Sequence, residues 1–523
     1  MQTRPGVSLL FLRHALRRSA HTSASIRDDP RWPGWGVVIG IEVHAQIKSR
    51  EKLFSRAWTS DLSEPPNTHV SPFDAAFPGT LPSLNLKCVE LGVRTALALN
   101  CRVQPRSSFD RKHYFYPDLP SGYQITQHYA PLATEGILPL NQHDVKVRIK
   151  QIQLEQDTGK TSFDPRRYIS TIDLNRAGTG LMEIVSEPDM RSPEEAGDYV
   201  RTLQAILRSV GSSDGNMEQG SFRCDVNVSV HKPNQAWGTR CEIKNLNSIK
   251  FMQVAIASEV FRQIELLDNG LPVPQETRGF DEHRAETYTL RSKEDAPDYR
   301  YMPDPNLPPL LLDASYVAQI QKTMPDLPHE TRARLLSRGL SERDVDVLMS
   351  IDMGREVGYD GVLGHGAVHY FDSVSHGRDP KVVANWINHE LLGQLALRQQ
   401  TFRDNPLTVD QLGEIIDLVQ NKKITGTSGR EILRRILTER LKDRPSALAE
   451  RMGLLVSSTD STSLKSWCEE VIAAMPSESQ AIRDGQVNVL NKLLGCVMKL
   501  SKGRADAKAA KQMLDDLLRG EFK

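Results

Sequence analysis

Only six cysteines are spread through the 523 residues, at positions 88, 101, 224, 241, 468 and 496, and no two of them form a Cys-x-x-Cys pair. That usage excludes a disulfide scaffold and a cysteine-built zinc site. An excess of charge is also missing, since Lys+Arg and Asp+Glu both number 66. No global basic field marks a nucleic-acid binder, so any such surface must be local. No apolar run approaches the roughly 20 residues that cross a bilayer, so no membrane span is expected. A phosphate-cradling loop is absent as well. Asp157-Thr-Gly-Lys-Thr161 ends like one, but the glycine required five positions before Gly159 is Leu154. The first 27 residues lack acidic side chains altogether, Asp28 being the first. They carry Arg4, Arg13, Arg17, Arg18 and Arg27 with several Ser and Thr, and Leu9, Leu12 and Leu16 recur at helical spacing. The apolar run Leu9-Leu10-Phe11-Leu12 is too short for a secretory signal. Residues 1–27 therefore read as a mitochondrial transit peptide, addressing the chain to the matrix.

The length predicts two or three domains, and 39% hydrophobic with 25% charged residues is a globular composition. Val37 to Ile47 reads as a strand. Period two puts Ile41, Val43, Ala45 and Ile47 on one face and Glu42, His44 and Gln46 on the other. Val145 to Glu155 is a second strand whose alternation slips at Gln151, predicting a bulge that leaves Glu155 on the polar face. Glu183 stands inside the apolar run Leu181-Met-Glu-Ile-Val185. A carboxylate in such a run is costly unless paired or bound to a cation. Two of them close together suit a hard-metal site, an acid/base pair or a set of structural ion pairs. Glu42 and His44 suit two metal ligands or a surface hydrogen bond.

Further along, Leu84 to Leu99 reads as helical, as does 251–267. Ser192-Pro-Glu-Glu195 is a helix start with a capping box. Residues 224–230 and 239–244 read as strands with polar faces Asp225, Asn227, Ser229 and Arg240, Glu242, Lys244. The cations and aromatics of Phe109 to Pro120 suit a channel lining or a nucleic-acid end as well as a core strand. Prolines at 297, 303, 305, 308 and 309 predict an extended connection. Beyond it helical periodicity dominates, around 315–322, 328–350, 380–400, 408–420, 429–442, 464–475, 486–499 and 507–518. Eight Lys/Arg between 422 and 444, and the stretch Lys499 to Lys511 with Lys502, Arg504 and Lys508, form two basic runs that suit a phosphate backbone or a solvated helix face.

Gly40-Ile-Glu-Val-His44, Asp110-Arg-Lys-His-Tyr-Phe-Tyr-Pro-Asp-Leu-Pro120, Ser121-Gly-Tyr-Gln-Ile125, Asp173-Leu-Asn-Arg176, Glu183-Ile-Val-Ser-Glu-Pro-Asp189 and Glu276-Thr-Arg278 occur in this order. With Arg291-Ser-Lys-Glu294, Asp298-Tyr-Arg-Tyr301 and Val497-Met-Lys499, they resemble the B subunits of glutamyl-tRNA(Gln) amidotransferases over roughly residues 36–523. The resemblance implies an α+β protein: a β-rich cradle at 28–312, a helical domain at 313–368 and a helical tail domain at 369–523 that contacts tRNA. It implies a glutamine-hydrolysing glutaminyl-tRNA synthase, a carbon–nitrogen ligase taking its amide from glutamine. ATP, a substrate, phosphorylates the side chain of glutamate misacylated on tRNA(Gln). Ammonia from a separate amidase (glutaminase) chain then displaces the phosphate, and a small third chain completes a heterotrimer. Glu42, His44, Glu155 and Glu183 align with magnesium ligands, and Lys112, Tyr114 and Gln156 with residues at the ammonia outlet.

Two departures stand out. The family has two consecutive glutamates where this chain has Glu155-Gln156, which puts any gating or proton-handling role of the second carboxylate in doubt. Where bacterial relatives have zinc-binding cysteines, this chain has Ser55, Ala57, Ser71 and Asp74, so no thiolate zinc site can form. The rival reading is a non-catalytic scaffold that delivers tRNA, which would have no use for the acidic set. A free-standing ligase is excluded by the lack of a glutaminase module.

Overall fold

The computed structural model describes residues 29–61, 63–292, 298–455, 460–484, 487–501, 505 and 507–520. Residues 1–27, which read as a transit peptide, lie outside the described residues, as do Pro297, Lys293 and Glu294 of the Arg291 motif, and Lys502 and Arg504 of the second basic run. The architecture is α+β, in two compact units. One runs to Leu327 and includes Val357–Val362; the other holds Pro328–Glu356 and the chain from Leu363.

The strands of the first unit are β1 Gly36–Gln46, β2 Arg102–Val103, β3 Arg106–Ser107, β4 Asp110–His113, β5 Tyr123–Thr126, β6 Ala133–Pro139, β7 Lys146–Gln156 and β8 Lys160–Asp164. They continue with β9 Ile169–Asp173, β10 Gly180–Ser186, β11 Phe222–His231, β12 Cys241–Leu246, β13 Glu276–Asp281, β14 Glu286–Ser292, β15 Met302–Pro303 and β16 Leu310–Leu311. Nine of them form one sheet in the order β14-β13-β12-β11-β1-β10-β7-β6-β2. Its central strand is β1, paired antiparallel with β10 and β11.

The apolar face of β1, with Ile41, Val43 and Ala45 buried, meets helices α1 Leu86–Ala98, α2 Pro193–Ser209 and α3 Ile249–Asp268. Their Val89, Leu203 and Ile256 join its core. Each strand's second face is thereby released for polar groups, as the alternation predicts. At the start of α2 the Ser192 hydroxyl accepts the Glu195 N–H, but the Glu195 carboxylate takes the N–H of Arg191 rather than that of Ser192. The capping box is thus stretched by one residue. The bulge in β7 falls at Lys150, between Ile149 paired with Ser186 and Gln151 paired with Val185. The proline-bearing stretch folds back on this unit, with β15 pairing β4 and β16 pairing β3.

The second unit is helical around its own core, from Leu335 to Leu454. The pattern at 328–350 is two helices, Pro328–Ser337 and Glu342–Met353, separated at Gly339, whose φ of +84° suits only glycine comfortably. Helix Pro380–Asn385 passes into a π-helical turn, Trp386–Leu391, before Leu392–Leu397. A last core, Leu464 to Leu518, closes the chain.

The loop-rich segment at 50–85 is fastened by a buried ion pair. Lys52, fully buried, donates to Asp74 at 3.0 Å and to the His69 carbonyl at 2.6 Å. The Asp74 carboxylate also accepts from the Ser55 hydroxyl and the Ser71 N–H, at 3.2 and 3.1 Å. Gly178 makes room for it: a Cβ there would lie 2.5 Å from Asp74 Oδ1. Asp74→Ala should strand the Lys52 charge in the core and cost about 3–5 kcal/mol in denaturant unfolding. Adding Lys52→Met should restore much of that loss. Equal stability of Asp74→Ala and the wild type would show that the loop is held by other contacts.

Candidate active site

The polar face of the sheet is built from three neighbouring antiparallel strands, so residues far apart in the chain become cross-strand partners. His44 of β1 pairs with Glu183 of β10, and Glu183 pairs with Gln153 of β7. Glu42 pairs with Val185 on one side and with Asp225 of β11 on the other. Glu155 reaches the same face from the end of β7, opposite Leu181. The ligand atoms of His44, Glu155 and Glu183 lie within 4.8 Å of one another, as do those of Glu42, His44 and Asp225. Histidine 44 joins both groups, its Nε2 being 3.1 Å from Glu42 Oε1.

Charge in this cluster is poorly matched. Burial and then the neighbouring Glu155 and Glu42 carboxylates push the Glu183 carboxyl well above its ordinary range. Burial works the same way on Glu42, but the His44 hydrogen bond overcomes it and holds that carboxyl low. Burial disfavours the His44 imidazolium, yet the hydrogen bond to Glu42 and the charge of Glu183 raise its pKa to about 9. Neutral amides fill some of the remaining positions: Gln153 donates to Glu183 at 2.5 Å, and Gln124 donates to Glu155 Oε1 at 2.6 Å. Glu155 Oε2 is buried with no hydrogen-bond partner. A buried carboxylate oxygen without a donor, beside two more carboxylates and an imidazole, is a donor set of the kind that suits a divalent cation.

Lys112, on β4, has its ammonium 3.9 Å from Glu155. Burial favours its neutral form, but Glu155 and Glu183 outweigh this and keep it protonated. Tyr114 donates to Gln124 at 3.3 Å and so stands one contact away from the cluster. Gln156 pairs with Gly180, which by alternation places it on the face opposite Glu155, and its Oε1 is buried without a partner. The stretch at 109–120 divides its side chains: Phe109 enters the core, Lys112 and Tyr114 line the site, and Phe115 is exposed.

Beside the carboxylates lies a cavity of about 420 Å³ reached by Glu42, Lys112, Glu183, Arg240, Lys244 and Arg291. Tyr299 and Tyr301 form its aromatic side, with His128 stacked on Tyr301 at 3.8 Å. The Lys112 ammonium sits 5.2 Å from the Tyr299 ring centre. Sequence reasoning had these tyrosines and Arg291 within recognised motifs but gave them no role. Gln124 lay in another such motif and Asp225 and Lys244 on strand faces read as polar, also without a role; Gln153 was missed, its strand's polar face being the available signal.

A profile of the GatB/GatE catalytic domain matches residues 37–318, and one described as GatB domain matches 369–518. The mitochondrial glutamyl-tRNA(Gln) amidotransferase B subunit of Laccaria bicolor is 57% identical over 97% of this chain and 96% of its own length. The chain belongs to the amidotransferase B-subunit family. The mitochondrial B subunit of Cryptococcus neoformans is 46% identical, covering 93% of this chain and 94% of the relative. The aspartyl/glutamyl-tRNA(Asn/Gln) amidotransferase B subunit of Caulobacter vibrioides is 42% identical over 92% and 96%. Membership of this family makes the chain one part of a larger complex, and no described helix is long and apolar enough to cross a membrane.

A cation that binds this cluster in the folded protein stabilises the fold by mass action, about 2.7 kcal/mol at one hundred times Kd. Magnesium should therefore raise the wild-type melting temperature, and Glu155→Gln should remove most of that rise. A rise of equal size in the variant would place the ion elsewhere.

Proposed function

We propose that this chain is the transamidating component of a mitochondrial glutamyl-tRNA(Gln) amidotransferase, converting glutamate on tRNA(Gln) into glutamine at the expense of ATP. The observation that carries this reading is the set Glu42, His44, Glu155 and Glu183, the last two buried and the first two partly so, which has too few cations of its own. These four residues would hold magnesium, with Asp225 within reach of Glu42 and His44. Bound there, the ion supplies charge neutralisation for the phosphates of ATP. No zinc enters the proposal.

The chain's own residues do the rest. Arg240, Lys244 and Arg291 line the cavity with cationic side chains that suit a polyphosphate, and Tyr299 and Tyr301 offer ring faces to a base or ribose. Lys112, kept protonated beside Glu155, stands where negative charge develops as the γ-phosphoryl group passes to the glutamyl carboxylate and ADP departs. Ammonia then attacks the acyl carbon, phosphate leaves with the bonding electrons, and a nitrogen proton passes to it. Ammonia comes from a separate amidase chain, a small third chain completes the complex, and Tyr114 and Gln156 mark where the ammonia arrives. Residues 1–27 and the mitochondrial naming of the fungal relatives together support a matrix location. The scaffold alternative leaves the acidic cluster without a purpose, since a carboxylate set this crowded destabilises a protein that does not use it.

Glu183→Gln keeps volume and removes one hard anionic ligand. In the assembled complex, transamidation with saturating ammonium chloride should fall at least a hundredfold, while basal ammonia release from glutamine on the amidase chain persists. Transamidation near wild type would make Glu183 a structural carboxylate and displace the active site.

The helical unit is proposed to hold the tRNA body. Arg430, Arg434 and Arg435 are tied to Glu390, Glu431 and Glu439, whereas Lys422, Lys423 and Lys442 are exposed and, among the described residues, make no ion pair. Truncation near residue 370 would cut through one continuous core, so substitution is the better test. Replacing these three lysines by glutamine should weaken tRNA binding several-fold at low salt and flatten its salt dependence. Unchanged affinity and slope would make them ordinary solvated side chains.

A further inference from the structure

The outer end of the nine-stranded sheet is thinly attached. Strand β13 meets β12 in parallel through only two register pairs, Glu242 with Thr277 and Ile243 with Arg278, and β14 is the edge strand. Yet this hairpin supplies Glu276, Thr277 and Arg291 to the large cavity, and Thr277, Leu290 and Arg291 to an adjoining one of about 370 Å³. A wall that must meet a ligand cannot rest on two backbone pairs alone, and beneath it lies a buried charged network.

Glu259 of α3 is fully buried. Its carboxylate accepts from Arg262 at 2.7 and 3.0 Å, from Gln263 at 2.7 Å and from the Thr287 hydroxyl at 3.0 Å, and it pairs with Arg278 at 3.0 Å. Arg278 is itself 5% exposed. Its guanidinium donates to Thr287 Oγ1, Thr289 Oγ1, the Thr287 carbonyl and Glu276, at 2.8–3.0 Å. One side chain thus ties both strands of the hairpin to a helix of the core.

A bulge completes the device. Thr277 pairs with Arg291 and Arg278 with Thr289, so Leu290 is the extra residue. Thr287 and Thr289 face Arg278. Strict alternation would have sent Arg291 to that side too. The bulge turns Arg291 to the cavity beside Thr277, to whose hydroxyl it donates at 3.4 Å.

We propose that Arg278, anchored on buried Glu259, is a positioning residue that sets the place of the Arg291 guanidinium for a phosphate-bearing substrate. The inference rests on the cavity taking ATP, as proposed above. Arg278 itself lines neither cavity. Lysine at 278 keeps the charge but cannot span Glu259, Glu276 and both threonines at once, so the hairpin shifts while the core charge stays matched.

The test is a double-substitution cycle on the assembled complex, with glutamyl-tRNA and ammonium chloride saturating. Arg278→Lys should raise the KM for ATP at least tenfold while kcat stays within threefold of wild type. Arg291→Met should raise it as much or more. In the Arg291→Met background, adding Arg278→Lys should change KM less than twofold, because its effect passes through Arg291. Multiplicative effects of the two changes, or a lowered melting temperature with KM untouched, would overturn the proposal by making Arg278 a purely structural residue. Should Arg278→Lys fail to fold, Thr289→Val removes one of its partners at constant shape and is read in the same cycle, with about a threefold rise expected. A wild-type complex with no requirement for ATP would overturn the functional reading and this inference together; the other outcomes bear on the inference alone.

Discussion

Everything in the first unit depends on holding like charges together on one sheet face. Glu42, Glu155 and Glu183 approach one another around His44, with Glu155 and Glu183 buried and Glu42 partly exposed. Such an arrangement is unfavourable without a counter-charge, and it persists only because the backbone leaves the side chains no alternative. The strand at the centre of the sheet is the one that can enforce this. β1 is pinned by ladders on both sides and by an apolar face in the core, so Glu42 and His44 cannot turn away. A constellation placed on paired strands is fixed more tightly than one placed on loops.

The contrast with the surrounding carboxylates separates function from structure. Asp157 is just as buried, but it has Arg223 at 2.9 Å, Arg176 at 3.6 Å and the Gln46 amide, and these outweigh burial to hold its carboxyl low. Glu259 has Arg262 and Arg278. Asp74 has Lys52. Each of these acids outside the cluster is met by its own cation at hydrogen-bond distance. Inside it, the nearest lysine stands 3.9 Å from Glu155, amides substitute for cations at Glu155 and Glu183, and one carboxylate oxygen has no donor. Beside acids paired in this way, the cluster leaves room for a charge from outside, which the proposed magnesium would bring.

Much of this was legible in the sequence because period-two alternation is a local property. The polar faces of β1 and β7, and the slip in β7, could be read residue by residue, and they put Glu42, His44 and Glu155 on faces that the structure confirms. The partnership of His44 with Glu183, and of Glu42 with Asp225, belongs to sheet order, which no single stretch encodes. The motif resemblance supplied the four-residue set but no role for Asp225, Gln124 or Gln153. The hairpins β8–β9 and β13–β14 escaped notice for a different reason. Their faces are exposed or satisfied by charged networks, so neither shows the apolar alternation that marks a half-buried strand. Among the helices, Ala367–Val374, Pro445–Arg451 and Pro476–Arg483 are too short to display a full periodic pattern.

Charge accounting also gives a physical setting for Gln156, the position where the family resemblance leads one to expect a second glutamate. Strand alternation sends this side chain away from Glu155, toward the face of Leu154 and Gly180, where it is nearly closed to solvent. The cations that meet its neighbours in sequence are already engaged: Arg176 and Arg223 with Asp157, and Lys112 with Glu155. A carboxylate at 156 would be another buried anion beside Glu155 and Asp157, and it would have to find a cation of its own or take up a proton. The amide fills the same volume at no charge and leaves one carbonyl oxygen as an unengaged acceptor. In this chain, then, the back of the acidic cluster presents a neutral hydrogen-bond acceptor where a second glutamate would have presented a charge.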